Sequence, residues 1–272
     1  MTANPEGRRR YEGIFRAIRR RSQMGLLLCL VATALLAGIW LFWIAPIVVE
    51  IMLDAGLPGW LIAALPTAAF LTFVLTIPNL AQLIVIRGDT AAAIEAVNAL
   101  ALSEGDRLKR EVGKVPRLRN ASQAMAWLAA HPDASARFQA RLLAWAGESE
   151  RARAEVAGMS AGTATEAFDV ALLRGMVEFI ATGKGDLQPA RAELKRVPDA
   201  DQDWARLALA FEEARLEVAA GREWAIPLAA ARRSVAVPRA ATLIGRFLSA
   251  WRLYLAVVIG GTLLSVIAAL QY

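Results

Sequence analysis

The sequence predicts an all-α integral membrane protein with three transmembrane helices and a helical, water-soluble domain between the second and the third. Two observations predict this class. No lysine or arginine occurs in the 65 residues between Arg21 and Arg87, whereas arginines are crowded at both ends of that stretch and again near the C-terminus. The 272 residues are 57% apolar, which is high for a soluble protein, although 21% are charged. The apolar residues must therefore be concentrated locally.

Residues 1–22 are predicted to form a basic, amphipathic N-terminal segment. Tyr11, Ile14, Phe15 and Ile18 have the i, i+3, i+4, i+7 spacing that places apolar side chains on one helical face. Two interpretations stay open: a short helix on the inner leaflet, or a disordered positive tail that only sets the topology. We expect contact with anionic lipid headgroups here and next to the last crossing, through Arg8, Arg9, Arg10, Arg16, Arg19, Arg20, Arg21, Arg232 and Arg233.

Residues 23–87 are predicted to form a transmembrane hairpin with helices at about 25–43 and 61–86. Each helix has the roughly twenty apolar residues that about 30 Å of hydrocarbon requires. A cleaved signal peptide is the alternative for the first helix. We favour a retained helix, because no clear small-residue cleavage site followed by polar chain is found and a second apolar stretch follows.

The last segment, 246–272, is predicted to hold the third transmembrane helix. Gly261 and Ser265 follow the small-xxx-small spacing that lets membrane helices approach closely, so oligomerisation with the same or another chain is a candidate. Asn79 and Gln82 in the second helix have two interpretations: hydrogen bonding between helices, or a polar path for a solute. Helix packing is favoured, because no Asp, Glu, Lys, Arg or His lies clearly inside a crossing.

The arginine clusters predict the orientation. Cytoplasmic loops carry an excess of Lys and Arg, and the 44–60 connection has Glu50 and Asp54 but no base. We therefore expect the N-terminus and residues 88–245 in the cytoplasm and the C-terminus outside. Frequent Ala and a preference for Arg over Lys, as in GC-rich genomes, point to a bacterial inner membrane.

The sequence pI of about 10.1 does not predict nucleic-acid binding. Residues 88–231 carry eighteen bases against twenty-one acids, so the positive surplus lies beside the apolar segments. The residue composition also argues against the usual zinc sites and disulfides. His131 is the single histidine and Cys29 the single cysteine, which leaves no Cys/His zinc site and no disulfide within the chain. The sequence also lacks a Gly-rich phosphate loop, and we expect no cofactor.

Residues 88–245 are predicted to form a domain of helices separated by Gly, Pro and Asp. The pattern predicts four helices in its most regular part, near 133–146, 149–158, 187–196 and 202–220. Arg-Ala-Glu recurs at 153–155 and 191–193, thirty-eight residues apart. The segments HPDASARFQARLLAWAGESERARAEV, GDLQPARAEL and VPDADQDWARLALAF resemble tetratricopeptide repeats. The resemblance implies an α-solenoid that acts as a protein-interaction scaffold, usually without catalysis.

Two sets of basic residues in this domain are candidate binding surfaces. Arg137 and Arg141 lie four apart on one helical face, and Arg174 precedes Glu178 by four. These arginines either belong to solvated faces, which we favour, or line a groove for an acidic peptide. The other surface, for anionic lipid or an acidic partner, is the patch Arg107, Lys109, Arg110, Lys114, Arg117 and Arg119. Apolar residues at helical spacing are assigned to the core: Phe138, Leu142, Trp145, Phe168, Leu172, Phe179, Trp204, Leu207 and Phe211.

The sequence thus predicts a membrane-anchored scaffold or adaptor that recruits protein partners at the cytoplasmic face of the membrane. Two alternatives stay open. One is an accessory subunit of a transport or export complex, with Asn79 and Gln82 near the solute. The other is a membrane-associated enzyme with a carboxylate-based site. Its candidates are Asp203, Glu212 and Glu213, although solvated helix faces account for such carboxylates.

Overall fold

The described part of the chain is all-α. The computed structural model describes residues 5–113, 118 and 120–271, and side chains throughout these except at 26, 77–85, 250, 252, 253, 269 and 271. In chain order the elements are α1 (Pro5–Ile39), a π-helical turn (Trp40–Ile44), α2 (Ala45–Asp54), α3 (Gly59–Val85), α4 (Asp89–Val112), α5 (Ala121–Ala130), α6 (Ala136–Ala146), α7 (Ser149–Ala157), α8 (Ala164–Thr182), α9 (Gln188–Leu194), α10 (Asp199–Ala219), α11 (Ala225–Ser234), a 3-10 turn (Arg239–Ala241) and α12 (Leu243–Gln271).

The chain divides into two compact units. The helical-bundle unit comprises the described residues up to Arg19 together with Gly88–Ala241. The long-helix unit comprises Arg20–Arg87 and the described residues from Thr242 onward. Among the described residues, three helical stretches are long and apolar enough to cross a membrane: Pro5–Asp54, Gly59–Thr76 and Leu243–Ala268. Their number agrees with the sequence prediction.

The first apolar stretch is helical over more residues than the sequence suggests. α1 begins within the basic segment, at Pro5, and α2 ends only at Asp54, so the connection expected at 44–60 is helical over most of its length. The π-helical turn between α1 and α2 ends two residues before Pro46. The Ala45 N–H bonds to the carbonyl five residues back, and proline has no N–H with which to continue the α-helical ladder.

In the long-helix unit, α3 and α12 pack against each other. A Cβ atom added to Gly261 would lie 2.5 Å from Leu71 Cδ1, so this close approach requires glycine. Four residues further along α12, the Ser265 hydroxyl lies 3.1 Å from that of Thr67. Both residues predicted to pack α12 therefore contact another helix.

In the helical-bundle unit, α6, α8 and α10 pack side by side, and α7 and α9 each pack between consecutive members of that row. α4 packs against α10 and α11. Local signals fix the helix ends. The side chains of Asn120 and Ser135 cap α5 and α6, Thr163 and Glu166 form a capping box at the start of α8, and Gly147, with φ of 89°, ends α6.

Most of the predicted core is buried in this unit. Phe138, Phe168, Leu172, Phe179, Trp204, Leu207 and Phe211 are all buried. On α6 the prediction is displaced by one residue: Leu143 is buried, whereas Leu142 and Trp145 are half-buried. One residue corresponds to about 100° around the helix axis, so the buried face of α6 is rotated relative to the predicted one.

The N-terminal part of α1 belongs to the same core. Ile14 is fully buried, Ile18 packs against the same apolar cluster, and the Phe15 ring lies 5.5 Å from that of Phe211. Tyr11 packs against a neighbouring cluster. The segment is helical, as in one of the two sequence interpretations. Its apolar face packs on protein at Ile14 and in part at Tyr11 and Ile18, whereas Phe15 is 46% exposed.

Candidate functional site

A cluster of charges, of which Asp169 is buried and the others are largely buried, joins α4, α6 and α8. Arg137 Nη2 lies 3.2 Å from Glu104 Oε1, and Arg141 Nη1 lies 3.0 Å from Glu104 Oε2. Arg141 Nη2 is also 3.7 Å from Asp169 Oδ1, and Arg137 forms an ion pair with the same carboxylate. Two arginines of one helix therefore share two carboxylates from two other helices, an arrangement that fixes how these helices pack.

Trp204 of α10 extends this cluster. Its indole N–H donates to Glu104 Oε1 at 2.7 Å, and the Arg107 guanidinium stacks 3.6 Å from the centroid of its ring. The opposite neighbour is Phe168, whose ring meets the indole edge-on at 5.7 Å. Trp204 thus connects α10 to Glu104 and Arg107 of α4 and to Phe168 of α8.

The surroundings move the pKa values of the two carboxyl groups in opposite directions. Burial alone would raise the pKa of Glu104. The adjacent Arg141 and Arg137 guanidinium groups and the Trp204 hydrogen bond outweigh burial, so its pKa is lowered. Asp169 is more deeply buried, and burial raises its pKa despite the same two arginines. Both carboxylates contact both arginines, and Glu104 also accepts the Trp204 hydrogen bond.

A second buried ion pair fastens the N-terminal helix to α10. Arg215, with 3% of its side chain exposed, donates from Nε to Glu212 Oε2 at 2.7 Å and also donates to the Tyr11 carbonyl. Its guanidinium lies 4.7 Å from the Tyr11 ring centroid and 5.4 Å from that of Phe211. Arg215 is thus satisfied by a carboxylate, a backbone carbonyl and two aromatic faces.

Between these two ion clusters lies a cavity of about 180 Å³, which we call the Tyr11 cavity. Apolar side chains form most of its wall, and the two ion clusters form its polar end. Its lining comes from five helices: Tyr11, Phe15, Val97, Leu100, Ala101, Glu104, Arg141, Leu172, Met176, Ala208, Phe211, Glu212 and Arg215. Burial raises the pKa of the Tyr11 phenol, so the hydroxyl stays protonated.

A second cleft, of about 380 Å³, lies between α7, α8 and the chain that enters α9, and we call it the Arg174 cleft. Its floor depends on two glycines. A Cβ on Gly175 would lie 2.6 Å from the Asp186 carbonyl oxygen, and one on Gly185 would lie 2.7 Å from the Gly175 carbonyl oxygen. The rest of its lining is Arg153, Val156, Ala157, Arg174, Val177, Glu178 and Pro189.

The structure separates the three arginines predicted for one groove. Arg174 is exposed at its cleft. Arg137 and Arg141 instead point at carboxylates of α4 and α8, so the solvated face favoured from sequence is wrong for them. Glu212 likewise is buried, not solvated. The i, i+3 spacing of Glu212 and Arg215 is a sequence signal for their ion pair. The carboxylates that contact Arg137 and Arg141 are distant in sequence, so no local spacing indicates those contacts.

Several arginines expected at lipid headgroups have protein partners in the bundle unit. Arg8 pairs with Glu12 at 2.9 Å, and Arg10 donates to the carbonyls of Ile180 and Ala181. Arg232 lies 2.9 Å from Glu95, and Arg233 pairs with Asp89. The others are exposed: Arg9, Arg16, Arg19, Arg20 and Arg21. Contact with lipid stays a prediction for all of them.

The predicted basic patch is described in part. Arg107 stacks on Trp204 and is half-buried, so it does not belong to an open surface. Lys109 lies 3.6 Å from Asp106, and Arg110 donates to the Asp106 carbonyl. Lys114, Arg117 and Arg119 lie outside the described residues. The side chains of Asn79 and Gln82 lie outside them as well.

The candidates for catalysis have structural contacts. Asp203 accepts from the Ala236 N–H at 3.2 Å, and Glu213 pairs with Arg191 at 2.7 Å. The His131 ring stacks on Trp127 with centroids 4.1 Å apart, at the end of α5. Among the described residues, no group of three or more His, Cys, Asp or Glu side chains is placed to hold a metal ion.

No protein-family model, curated protein or solved structure matches this chain. The fold and the site therefore define its class: an all-helical protein with three helices long and apolar enough to span a membrane, and a helical bundle that carries buried ion clusters and two clefts. Function has to be inferred from the surfaces of that bundle.

Proposed function

We propose that this protein is a membrane-anchored interaction scaffold at the cytoplasmic face of a bacterial inner membrane. In this proposal the helical-bundle unit is a tetratricopeptide-like array that holds a protein partner, and the apolar helices confine it to the membrane. Confinement to two dimensions raises the effective concentration of the bundle toward neighbouring membrane proteins.

A repeated ion pair is the observation that carries the proposal. Arg153 of α7 lies 3.0 Å from Glu178 of α8, and Arg191 of α9 lies 2.7 Å from Glu213 of α10. The two arginines begin the two Arg-Ala-Glu segments, and each reaches the following helix of the α6, α8, α10 row. The same sequence motif thus makes the same contact twice, which supports a repeat array in which each helical pair packs on its neighbours.

The Arg174 cleft is the partner surface in this proposal. The α6 face that carries Arg137 and Arg141 is covered by Glu104 of α4, so a partner would have to displace α4 to reach it. The Arg174 cleft combines an apolar floor, formed in part by Val156 and Val177, with an exposed cation at its edge. Such a surface suits an apolar peptide segment that carries an acidic residue.

The membrane location and orientation rest on the arginine distribution. The proposal places the N-terminus and the bundle in the cytoplasm, because basic residues flank the apolar helices on that side. The close contacts of Gly261 and Ser265 with α3 support packing of α12 within the chain. They leave association with further copies or other membrane proteins as a prediction.

Site-specific photo-crosslinking in living cells tests the proposal. A photoreactive residue replaces Ala157, an exposed residue of the cleft wall, in the full-length chain, and a matched variant carries it at the exposed Ser122 on α5. We expect a discrete adduct, identified by mass spectrometry, from position 157 and its absence from position 122. Adding Arg174→Glu to the first variant should abolish that adduct, because it replaces the exposed cation at the cleft edge with a carboxylate that repels the acidic residue of the partner.

Three outcomes would count against a scaffold with this surface. The first is no discrete adduct at position 157, and the second is the same adducts at both positions. The third is an adduct that survives Arg174→Glu in a variant whose circular dichroism matches that of the parent.

A further inference from the structure

A groove of about 350 Å³ runs along α1 at the start of the long-helix unit. It is lined by Arg20 and Gln23 at one end and by Met24, Leu27 and Leu30 along the rest. The five side chains recur at steps of three, one, three and three residues, so they lie on one face of the helix. A cation and an amide donor therefore head a strip of three apolar side chains.

The length of this strip matches one leaflet of a bilayer. Ten residues separate Arg20 from Leu30, which at about 1.5 Å per residue is roughly 15 Å, or half of the ~30 Å hydrocarbon core. Met24, Leu27 and Leu30 are 59%, 58% and 53% exposed, so an acyl chain would have apolar surface to cover. A lipid headgroup would thus lie beside Arg20, and its acyl chain would lie along Met24, Leu27 and Leu30.

The charge around Arg20 favours an anion. No Asp or Glu occurs between Glu12 and Glu50, and Arg20 has no carboxylate partner among the residues that the structure describes. A guanidinium donates to phosphate oxygens in a planar fork, and the Gln23 amide adds a neutral donor about one turn further along the helix. A zwitterionic headgroup would bring its own cation to this end, whereas an anionic one would not.

We propose that Arg20, Gln23, Met24, Leu27 and Leu30 form a binding site for one anionic phospholipid. The headgroup phosphate accepts hydrogen bonds from Arg20 and Gln23, and one acyl chain lies along Met24, Leu27 and Leu30. The inference deepens the proposed function, since it rests on the membrane location, and it names the lipid class that this helix selects.

Native mass spectrometry of the full-length protein, released from detergent with added lipid, tests the site. We expect tighter binding of phosphatidylglycerol than of phosphatidylcholine, and Arg20→Gln should weaken the former about fivefold, the effect of one basic residue at an anionic surface. Arg20→Lys should retain it within about twofold. Leu27→Trp, which stays apolar but fills the groove, should also weaken it.

Arg9→Gln is the matched control, because it removes an equally exposed charge from the same helix outside the groove. Equal losses for Arg9→Gln and Arg20→Gln would overturn a local site and indicate diffuse attraction to the basic segment. Displacement of phosphatidylglycerol by inorganic phosphate, with no effect of Leu27→Trp, would overturn it in favour of a free-phosphate site. Equal binding of both lipids, or retention of neither, refutes this site alone, whereas recovery of the protein in the soluble fraction of cells lysed without detergent also refutes the membrane location.

Discussion

Glu104 is the residue on which the buried ion cluster depends, because its carboxylate accepts from Arg137, Arg141 and Trp204 at once. Asp169 is deeper, and its own protonation is favoured by burial. Removing the negative charge of Glu104 would leave the two guanidinium groups with Asp169 as the remaining carboxylate of the cluster.

Glu104→Gln should lower the free energy of unfolding by about 3 kcal/mol, because a buried ion pair loses one partner while the side chain keeps its size. Thermal unfolding of the full-length protein in detergent, followed by circular dichroism, measures the effect. Glu150→Gln is the control: this carboxylate is 78% exposed and pairs with Arg153, so its loss should cost less than about 0.5 kcal/mol. Equal effects of the two substitutions would contradict a structural role for the cluster.

The difference in stability between the wild type and Glu104→Gln should decrease as the pH falls. The folded pKa of Glu104 lies below its ordinary value of 4.5, so its contribution to stability is complete above pH 4.5 and is lost as the pH falls through the lowered pKa. The melting temperature of the wild type should thus approach that of Glu104→Gln as the pH falls below 4.5. Asp169 is present in both proteins, but the Glu104 charge is one of the causes that raise its pKa, so the difference reports both carboxyl groups of the cluster. A difference in melting temperature that stays constant down to about pH 3 would contradict the lowered pKa of Glu104.

At the scale of single residues, sequence spacing predicts local contacts and misses distant ones. Glu212 and Arg215 are three residues apart on one helix, so their spacing predicts an ion pair. The pairing of Glu104 with Arg137 joins two helices, and no local pattern indicates it. An amphipathic helix shows that a face is polar, but whether solvent or another helix covers that face is decided by packing.

At the scale of elements, the N-terminal helix is part of the bundle. Ile14 is fully buried, and α1 packs closely enough at Gly13 that an added Cβ would be in van der Waals contact with Val218 Cγ1, at 3.6 Å. The basic, amphipathic pattern that suggested a membrane surface therefore also serves a protein surface. Periodicity identifies an apolar face without identifying what packs on it.

Ile14→Ala should weaken the docking of this helix by about 3 kcal/mol, because it opens a cavity in the core. Hydrogen exchange of residues 8–18 in the full-length protein measures it, and we expect faster exchange in that segment. Arg16→Ala is the control, since the Arg16 side chain is exposed and donates to the Arg9 carbonyl on the same helix. Unchanged protection in Ile14→Ala would show that the segment is not held by the core.

The contact between α8 and the chain entering α9 should be sensitive to one methyl group. Gly175→Ala places a Cβ 2.6 Å from a backbone oxygen and should destabilise the bundle by about 2 kcal/mol. Gly158→Ala is the matched control, because its Cβ would meet atoms no closer than 3.7 Å and its φ of −78° suits alanine. The melting temperatures of the two variants should therefore change unequally, and a similar decrease in both would contradict this account of the cleft floor.

At the scale of the whole molecule, the arrangement to test is the proposed topology. In a Cys29→Ser background, single cysteines at Ala55 and Ser122 should react with a membrane-impermeant maleimide from opposite sides. We expect labelling of Ala55→Cys in intact cells and labelling of Ser122→Cys only after permeabilisation, because the basic flanks retain the bundle inside. The reverse pattern would overturn the orientation, and labelling of both in intact cells would refute a cytoplasmic bundle.

The sequence by itself determined the helical class, the apolar helices of membrane-spanning length and most of the core, because composition and periodicity act locally along the chain. The tertiary structure decided which faces are open. It brought Glu104 onto the Arg137 and Arg141 face, packed Ile14 into the core and left the Arg174 cleft exposed. The physical reason is that a helix displays its own pattern, while the partner that covers each face comes from residues far away in the chain.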